Sequence, residues 1–171
     1  MLHATEVTTQ QELLEINKLN QKNLKINLSK EDQEEQGFVT WLYDISLLKQ
    51  IAKLAPGIIV KDDDTVVGYA LVTPVKACSF HPDLQRMIDN IKTINYKGKP
   101  LSSYAYYIMG QVCIDKNYRG KGIFPMLFKK LKELYSGKYE LLVTEISTKN
   151  YRSLKHMKKL DLLPYIHTTM L

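Results

Sequence analysis

Only two cysteines, Cys78 and Cys113, occur among the 171 residues. They are too few for a disulfide framework, and no second Cys or His stands at metal-ligand spacing from either. Free thiols and no metal are the expectation. Long apolar runs are also missing: no stretch approaches the ~20 residues that span a bilayer. The opening Met1-Leu2-His3-Ala4-Thr5-Glu6 lacks the basic and then apolar plan of a secretory signal. A cytoplasmic location without a membrane partner is therefore expected. Neither a helix-turn-helix signature nor an aromatic platform for RNA is present, which argues against nucleic acid as a partner. What the chain does have is an ordinary globular composition, 44% apolar and 25% charged, and the length of a single domain over residues 1–171.

The formal charge of +6 is unevenly placed. Between Asp115 and Lys159 twelve Lys or Arg face four Asp or Glu, so this stretch carries +8 and the remainder −2. Positive charge gathered in one part of a chain attracts polyanions, a phosphate-bearing cofactor among them, although a solvated basic helix face would read the same way.

Three-to-four spacing of Leu13, Leu14, Ile16 and Leu19 after a Thr-rich, Glu-containing start predicts a first helix. Ser29-Lys30-Glu31-Asp32 reads as another helix start. Ile45, Leu48, Ile51 and Ala52 mark a third helix, which Pro56-Gly57 ends. Residues 57–60 and 65–72 are rich in β-branched side chains and flank Lys61-Asp62-Asp63-Asp64, an antiparallel hairpin with an acidic turn. Residues 74–100 break the strand pattern with an insertion whose Leu84, Met87, Ile88 and Ile91 have helical spacing. His81 has no partner at a telling distance and reads as structural. A strand is expected over 104–114, a helix from about Pro125 to Tyr135, a strand from Tyr139 to Ile146, a helix from Asn150 to Leu160 and a short strand from Tyr165. The start, Leu2 to Val7, is short and mixed. Strands and helices in this order imply a mixed sheet with helices on its faces.

The sharpest chemical signal is Gln111-Val112-Cys113-Ile114-Asp115-Lys116-Asn117-Tyr118-Arg119-Gly120-Lys121-Gly122-Ile123-Phe124-Pro125, an apolar strand feeding a glycine turn that opens a helix. Glycines tolerate dihedrals that other residues resist and let a ligand approach the backbone. The unpaired N–H groups of a first helical turn favour an anion, and Pro125 fits that turn because its missing N–H costs little. The turn lacks the Gly-Lys-Ser/Thr ending of a nucleotide P-loop and the three glycines of a dinucleotide fingerprint. A plain tight turn remains an alternative on spacing alone.

In Arg119, Gly120, Lys121, Gly122, Ile123 and Phe124 the chain resembles the GCN5-related N-acetyltransferase superfamily, whose pyrophosphate loop reads Arg or Gln, two residues, Gly, one residue, Gly or Ala. Phe124 stands where a small residue is usual. The resemblance continues in Thr144-Glu145-Ile146-Ser147-Thr148-Lys149-Asn150-Tyr151-Arg152-Ser153-Leu154, similar to the family's fifth strand and Asn-led helix. It implies an α+β (mixed α/β) fold: a central, mostly antiparallel twisted sheet, helices on both faces, and the family's fourth and fifth strands splayed. It further implies acetyl-CoA as co-substrate. The pantetheine arm would pair with main chain at Val112, Cys113 and Ile114, and the pyrophosphate would lie over residues 119–124. Asn150 and Ser153 would approach from the next helix. The acceptor would be an amine on a small molecule or peptide.

Amine attack on a thioester needs a proton acceptor, an oxyanion donor and an acid for the departing thiolate. Main-chain N–H near Val112 to Ile114 is the candidate oxyanion donor. Many relatives carry a carboxylate on the fourth strand, and residues 104–114 contain none; Glu145 is the nearest acidic candidate, with a structural hydrogen bond as its other reading. The family's thiolate acid is often a Tyr seven residues after the helix-leading Asn, which here is Met157. The adjacent His156 is the substitute, with a plain surface role as the alternative. Tyr104, Tyr106 and Tyr107 are further candidates whose simpler reading is sheet packing, and Cys113 reads as a small buried wall residue. Beyond the last helix only one strand has room where the family commonly has two, and Asp161-Leu162 replaces the usual Gly-Phe. This raises the prospect of a homodimer that completes the sheet, and of the 74–103 insertion acting as a lid. The alternative to catalysis is a module that holds a CoA thioester without turnover.

Overall fold

The computed structural model describes residues 1–158. The chain opens with strand β1 (Leu2–Glu6) and helices α1 (Gln10–Lys22), α2 (Lys30–Gln36) and α3 (Ile45–Leu54), then forms the hairpin β2 (Ile58–Asp62) and β3 (Thr65–Pro74). Helix α4 (Pro82–Lys92) and a two-stranded ribbon, β4 (Asn95–Tyr96) and β5 (Lys99–Pro100), lead to β6 (Tyr106–Ile114). Helix α5 (Ile123–Tyr135), strand β7 (Leu141–Val143) and helix α6 (Tyr151–Lys158) follow.

Local chemistry sets the helix starts. Thr9 accepts the Glu12 N–H at 3.1 Å while the Glu12 carboxylate accepts the Thr9 N–H at 2.9 Å, a reciprocal cap for α1. Ser29 caps α2 and Asp44 caps α3 by accepting the N–H three residues on, at 3.0 and 2.8 Å. The five-stranded sheet has the order β1-β2-β3-β6-β7, antiparallel except for the final parallel pair. Alternation along the hairpin sorts its side chains: Ile59, Tyr69 and Leu71 meet α1 and α3 on one face, and Ile58, Val60, Ala70 and Val72 meet α5 on the other. Each fully buried aliphatic side chain contributes about 1.5–3 kcal/mol, so β3 and β6 are held firmly from both sides.

The structure departs from the sequence reading in particular places. Leu2–Glu6, read as short and mixed, is an edge strand paired with all five residues of β2. Main-chain bonds to one neighbour hold it, so it needs no strong apolar pattern. The strand expected over 139–146 shrinks to Leu141–Val143, because the N–H groups of Lys138 and Tyr139 close the end of α5 on the Tyr135 carbonyl and residues from Thr144 onward turn away from β6. The strand expected from Tyr165 lies outside the described residues.

The insertion is not a lid in this structure. The apolar stripe of α4, Leu84, Ile88 and Ile91, is buried; Ile88 and Ile91 pack in a cluster with Leu101, Tyr106 and Ile108, against Leu141 and Val143. The insertion thus flanks the lower, paired half of β6 and β7. His81 caps α4, its Nδ1 accepting the Asp83 N–H at 3.1 Å, and its ring packs tilted against Trp41, 5.0 Å between ring centres. Tyr106 and Tyr107 are sheet-packing residues, Tyr107 lying against Tyr135 and Tyr139. Among the described residues no helix is long and apolar enough to cross a membrane.

The register of β3 on β6 slips between Leu71 and Val72, which leaves Gly110 as the extra residue of a bulge. A Cβ at Gly110 would sit 2.8 Å from the Tyr43 hydroxyl and 3.0 Å from Thr73 Oγ1, and Tyr43 and Thr73 are both buried and unable to retreat. Gly110→Ala is therefore expected to destabilise the fold by roughly 1–3 kcal/mol in urea denaturation. Gly137→Ala, with nothing among the described residues within 4 Å of the added carbon, should leave the midpoint nearly unchanged.

Candidate active site

The pairing of β6 with β7 stops at Ile108 and Val143, where Thr144 Oγ1 makes a last link by donating to the Met109 carbonyl at 3.2 Å. Beyond it the chains diverge around a cleft of about 450 Å³, walled by residues 109–114 of β6, the 36–40 segment, the glycine turn, and the 144–157 region. The Asp115 N–H donates to the Val67 carbonyl at 2.9 Å. Antiparallel alternation then aims the main-chain groups of Cys113 at β3 and those of Val112 and Ile114 into the opening. Arg119 Nε already occupies the Ile114 carbonyl at 3.2 Å, so Val112 offers the complete donor–acceptor pair. The Cys113 side chain is buried, and burial pushes its thiol up to about 12; it is a neutral wall group, not a nucleophile.

The turn after β6 leaves several main-chain donors open among the described residues. Asp115 accepts the Asn117 N–H at 2.9 Å and pairs with Lys22 at 2.8 Å, which anchors the entry. Gly120 and Gly122 have φ of 80° and 78°, the left-handed region, and among the described residues nothing lies within 4 Å of where a Cβ would project at either. Lys121 N–H reaches the Tyr118 carbonyl only at 3.4 Å. Among the described residues the N–H groups of Gly120, Gly122, Ile123 and Phe124 have no acceptor. Pro125 has no N–H, and the first ladder bond belongs to Met126, donating to Gly122 at 3.3 Å. Four unsatisfied donors, the positive end of α5 and open space above two glycines fit a diphosphate.

Side chains around the turn are arranged differently from the simple expectation of two free cations. Arg119 folds inward and is half-buried. Besides Ile114 it reaches Gln36 Oε1 at 3.0 Å and Asn23 Oδ1 at 2.9 Å, and desolvation lowers its pKa from the ordinary value. Lys121 is exposed, with Nζ 4.4 Å from the Tyr118 ring centre. Phe124 lines the cleft, packed on Phe128 and edge-on to His156 at 5.5 Å between ring centres.

From the far wall, Asn150 is buried and ties the cleft together. Its Nδ2 donates to the Phe38 carbonyl at 2.8 Å and its Oδ1 accepts the Ser153 N–H at 3.2 Å. His156 Nδ1 lies 2.9 Å from the Arg152 carbonyl. That contact assigns the ring proton to Nδ1, so Nε2 is an acceptor in the neutral ring and a donor only in the imidazolium. Met157 lines the cleft beside it. Glu145 stands at the exposed rim and has no hydrogen-bond partner among the described residues. Partial desolvation raises its carboxyl above the ordinary carboxylate value, countered in part by the charge of Arg86 on α4.

The structure thus brings Glu145, His156 and the residues named for the cofactor to the cleft or its turn, Lys121 on the outer side, and leaves Tyr104, Tyr106 and Tyr107 outside its lining. Sequence reading missed Asn23, Gln36, Gly37, Phe38 and Arg152, which close the same cleft. Only Arg152 carried a signal, as an additional cation beside Asn150. Among the described residues no group of three His, Cys, Asp or Glu is placed to hold a metal ion.

The family model described as "Acetyltransferase (GNAT) family" matches residues 25–161. No curated protein matches the chain. Among solved structures, the tetramutant of the BH1408 protein from Bacillus halodurans superposes with a TM-score of 0.65 at 14% identity, over 98% of this chain and 97% of that one. AAC(6')-Iy, bound to the bisubstrate analogue CoA-S-monomethyl-acetylneamine, gives 0.62 at 12% identity, over 100% and 97%. Ribosomal-protein-alanine N-acetyltransferase from Brucella melitensis biovar Abortus 2308 gives 0.60 at 11%, over 100% and 98%.

Proposed function

The chain belongs to the acetyltransferase (GNAT) family, and from that premise we propose that it moves the acetyl group of acetyl-CoA to a primary amine of a small molecule or peptide by direct attack, with both substrates bound together. The supporting observation is the set of amides at Gly120, Gly122, Ile123 and Phe124, without an acceptor among the described residues, at the end of a splayed strand pair. They would hold the diphosphate, while Val112 would pair with the pantetheine arm like an added strand. Asn150 would keep the walls at that spacing, with Ser153 on the first turn of α6 alongside the arm.

Acetyl-CoA supplies the thioester. The acceptor nitrogen forms a bond to the carbonyl carbon, the carbon–sulfur bond breaks, and the nitrogen proton passes to Glu145 directly or through water. A main-chain N–H near Val112 to Ile114 that the pantetheine arm leaves unpaired donates to the carbonyl oxygen as negative charge develops there. The sulfur leaves as thiolate and takes a proton, from the His156 imidazolium or from solvent, because Met157 stands where a hydroxyl would serve.

That methionine favours a second reading, a module that holds a CoA thioester without turnover. The two separate in a screen of polyamines, amino acids, aminoglycosides and peptide N-termini with acetyl-CoA, measured as CoA release. Stabilisation by acetyl-CoA with amine-dependent release supports the transferase; stabilisation with no release from any amine supports the module. No stabilisation removes both.

A further inference from the structure

Two guanidinium groups from different elements converge on the end of α2. Arg119 Nη1 donates to Gln36 Oε1 at 3.0 Å, and Arg152 Nη1 donates to the Glu35 carbonyl at 3.1 Å. Both side chains line the cleft that holds the open amides, and they are near enough for the charge of Arg152 to act unfavourably on Arg119. Every hydrogen-bond acceptor they have among the described residues is neutral: three for Arg119 in Ile114, Gln36 and Asn23, and the single Glu35 carbonyl for Arg152. Asp115 and Asp32 act on Arg119 only at longer range. Two like charges at one spot, without a carboxylate between them, leave an anion deficit. The Glu35 contact also leaves most of the Arg152 fork unspent.

Gly37 makes the approach possible. Its φ is 72°, and a Cβ there would strike Asn150 Oδ1 at 2.8 Å and lie 3.5 Å from the Arg152 Cβ. The chain therefore keeps a bare backbone where α6 brings Arg152 in. Capping the carbonyl end of α2 would explain the Arg152 bond to Glu35, but not the Arg119 bond to the Gln36 side chain or two cations facing one open cleft.

We infer that Arg152 is a phosphate ligand for the cofactor, a charged contact added to the main-chain cradle, with Arg119 behind it as a positioning residue that holds the turn against α2. The inference rests on the acetyl-CoA reading above. A planar fork binds a phosphate through two parallel bonds, which an ammonium group does not reproduce. The phosphate is one of the diphosphate pair or the separate phosphate on the ribose.

Titration calorimetry on the full chain with CoA, 3′-dephospho-CoA and pantetheine tests this without turnover. Arg152→Gln is expected to weaken CoA about tenfold or more, to leave pantetheine unchanged, and to flatten the salt dependence of CoA binding. Arg152→Lys should recover part of the affinity and guards against loss of packing. Equal weakening of CoA and dephospho-CoA assigns the contact to the diphosphate; weakening of CoA alone assigns it to the ribose phosphate. Unchanged CoA affinity, or pantetheine weakened as much as CoA, overturns the inference while the acetyl-CoA reading stands. A wild-type chain that binds no CoA removes that reading, and the inference with it.

Discussion

Gly122→Trp is expected to abolish measurable CoA binding, weakening it by about 100-fold or more, in a protein that still folds. Gly122 sits at φ 78° directly before α5, so any L-residue there costs about 1–2 kcal/mol of backbone strain. Nothing among the described residues lies within 4 Å of the added Cβ, so no packing clash with them adds to that cost. The indole instead occupies the space above the amides of Gly120, Ile123 and Phe124, where the diphosphate has to lie. Loss of one or two charge-assisted hydrogen bonds at about 1.5–3 kcal/mol each accounts for the weakening. Gly98 supplies the matched control. Its φ is 77° with the same open surroundings, but it lies in the β4–β5 ribbon, away from the cleft. Gly98→Trp carries a similar backbone penalty and should bind CoA normally. Thermal unfolding and calorimetry on both variants give the comparison, and a Gly122→Trp protein with wild-type affinity would falsify the diphosphate assignment.

That site was legible in the sequence because its signals are local. Two glycines needing left-handed dihedrals, a proline placed where no N–H is required, and a preceding apolar strand all fall within residues 111–125. The caps of α1 and α2 were readable for the same reason, since each joins residues three apart. What closes the cleft was not readable. Arg119 reaches Asn23 across 96 positions and Gln36 across 83, and Asn150 reaches Phe38 across 112. No periodicity encodes such pairs; they exist only once the helices are stacked on the sheet. The placement of α4 failed differently. Its apolar stripe showed that it is an amphipathic helix but not which surface it covers, and the exposed lower halves of β6 and β7 took it rather than the cleft mouth.

Glu145→Gln is expected to lower kcat/KM by about 10²–10³-fold, the contribution usual for a positioned proton acceptor, with CoA affinity unchanged because the diphosphate contacts lie elsewhere. The pH profile distinguishes a base from a prop. In the fold, partial desolvation raises the Glu145 carboxyl above its ordinary value, so the wild-type profile should rise through a limb shifted alkaline of an ordinary carboxylate. The glutamine variant should lose that limb and keep only the dependence set by the acceptor amine. Stability has the opposite sign. A carboxyl that holds its proton more tightly in the fold than in the unfolded chain stabilises below its ordinary value, and that contribution disappears as pH rises through the raised one. At neutral pH the wild-type charge is then a small burden, and glutamine should leave the melting temperature equal or slightly higher. A purely structural Glu145 would lower the melting temperature on replacement and leave the shape of the pH profile alone. That pair of results would reassign the proton to water held on the splayed edge of β6.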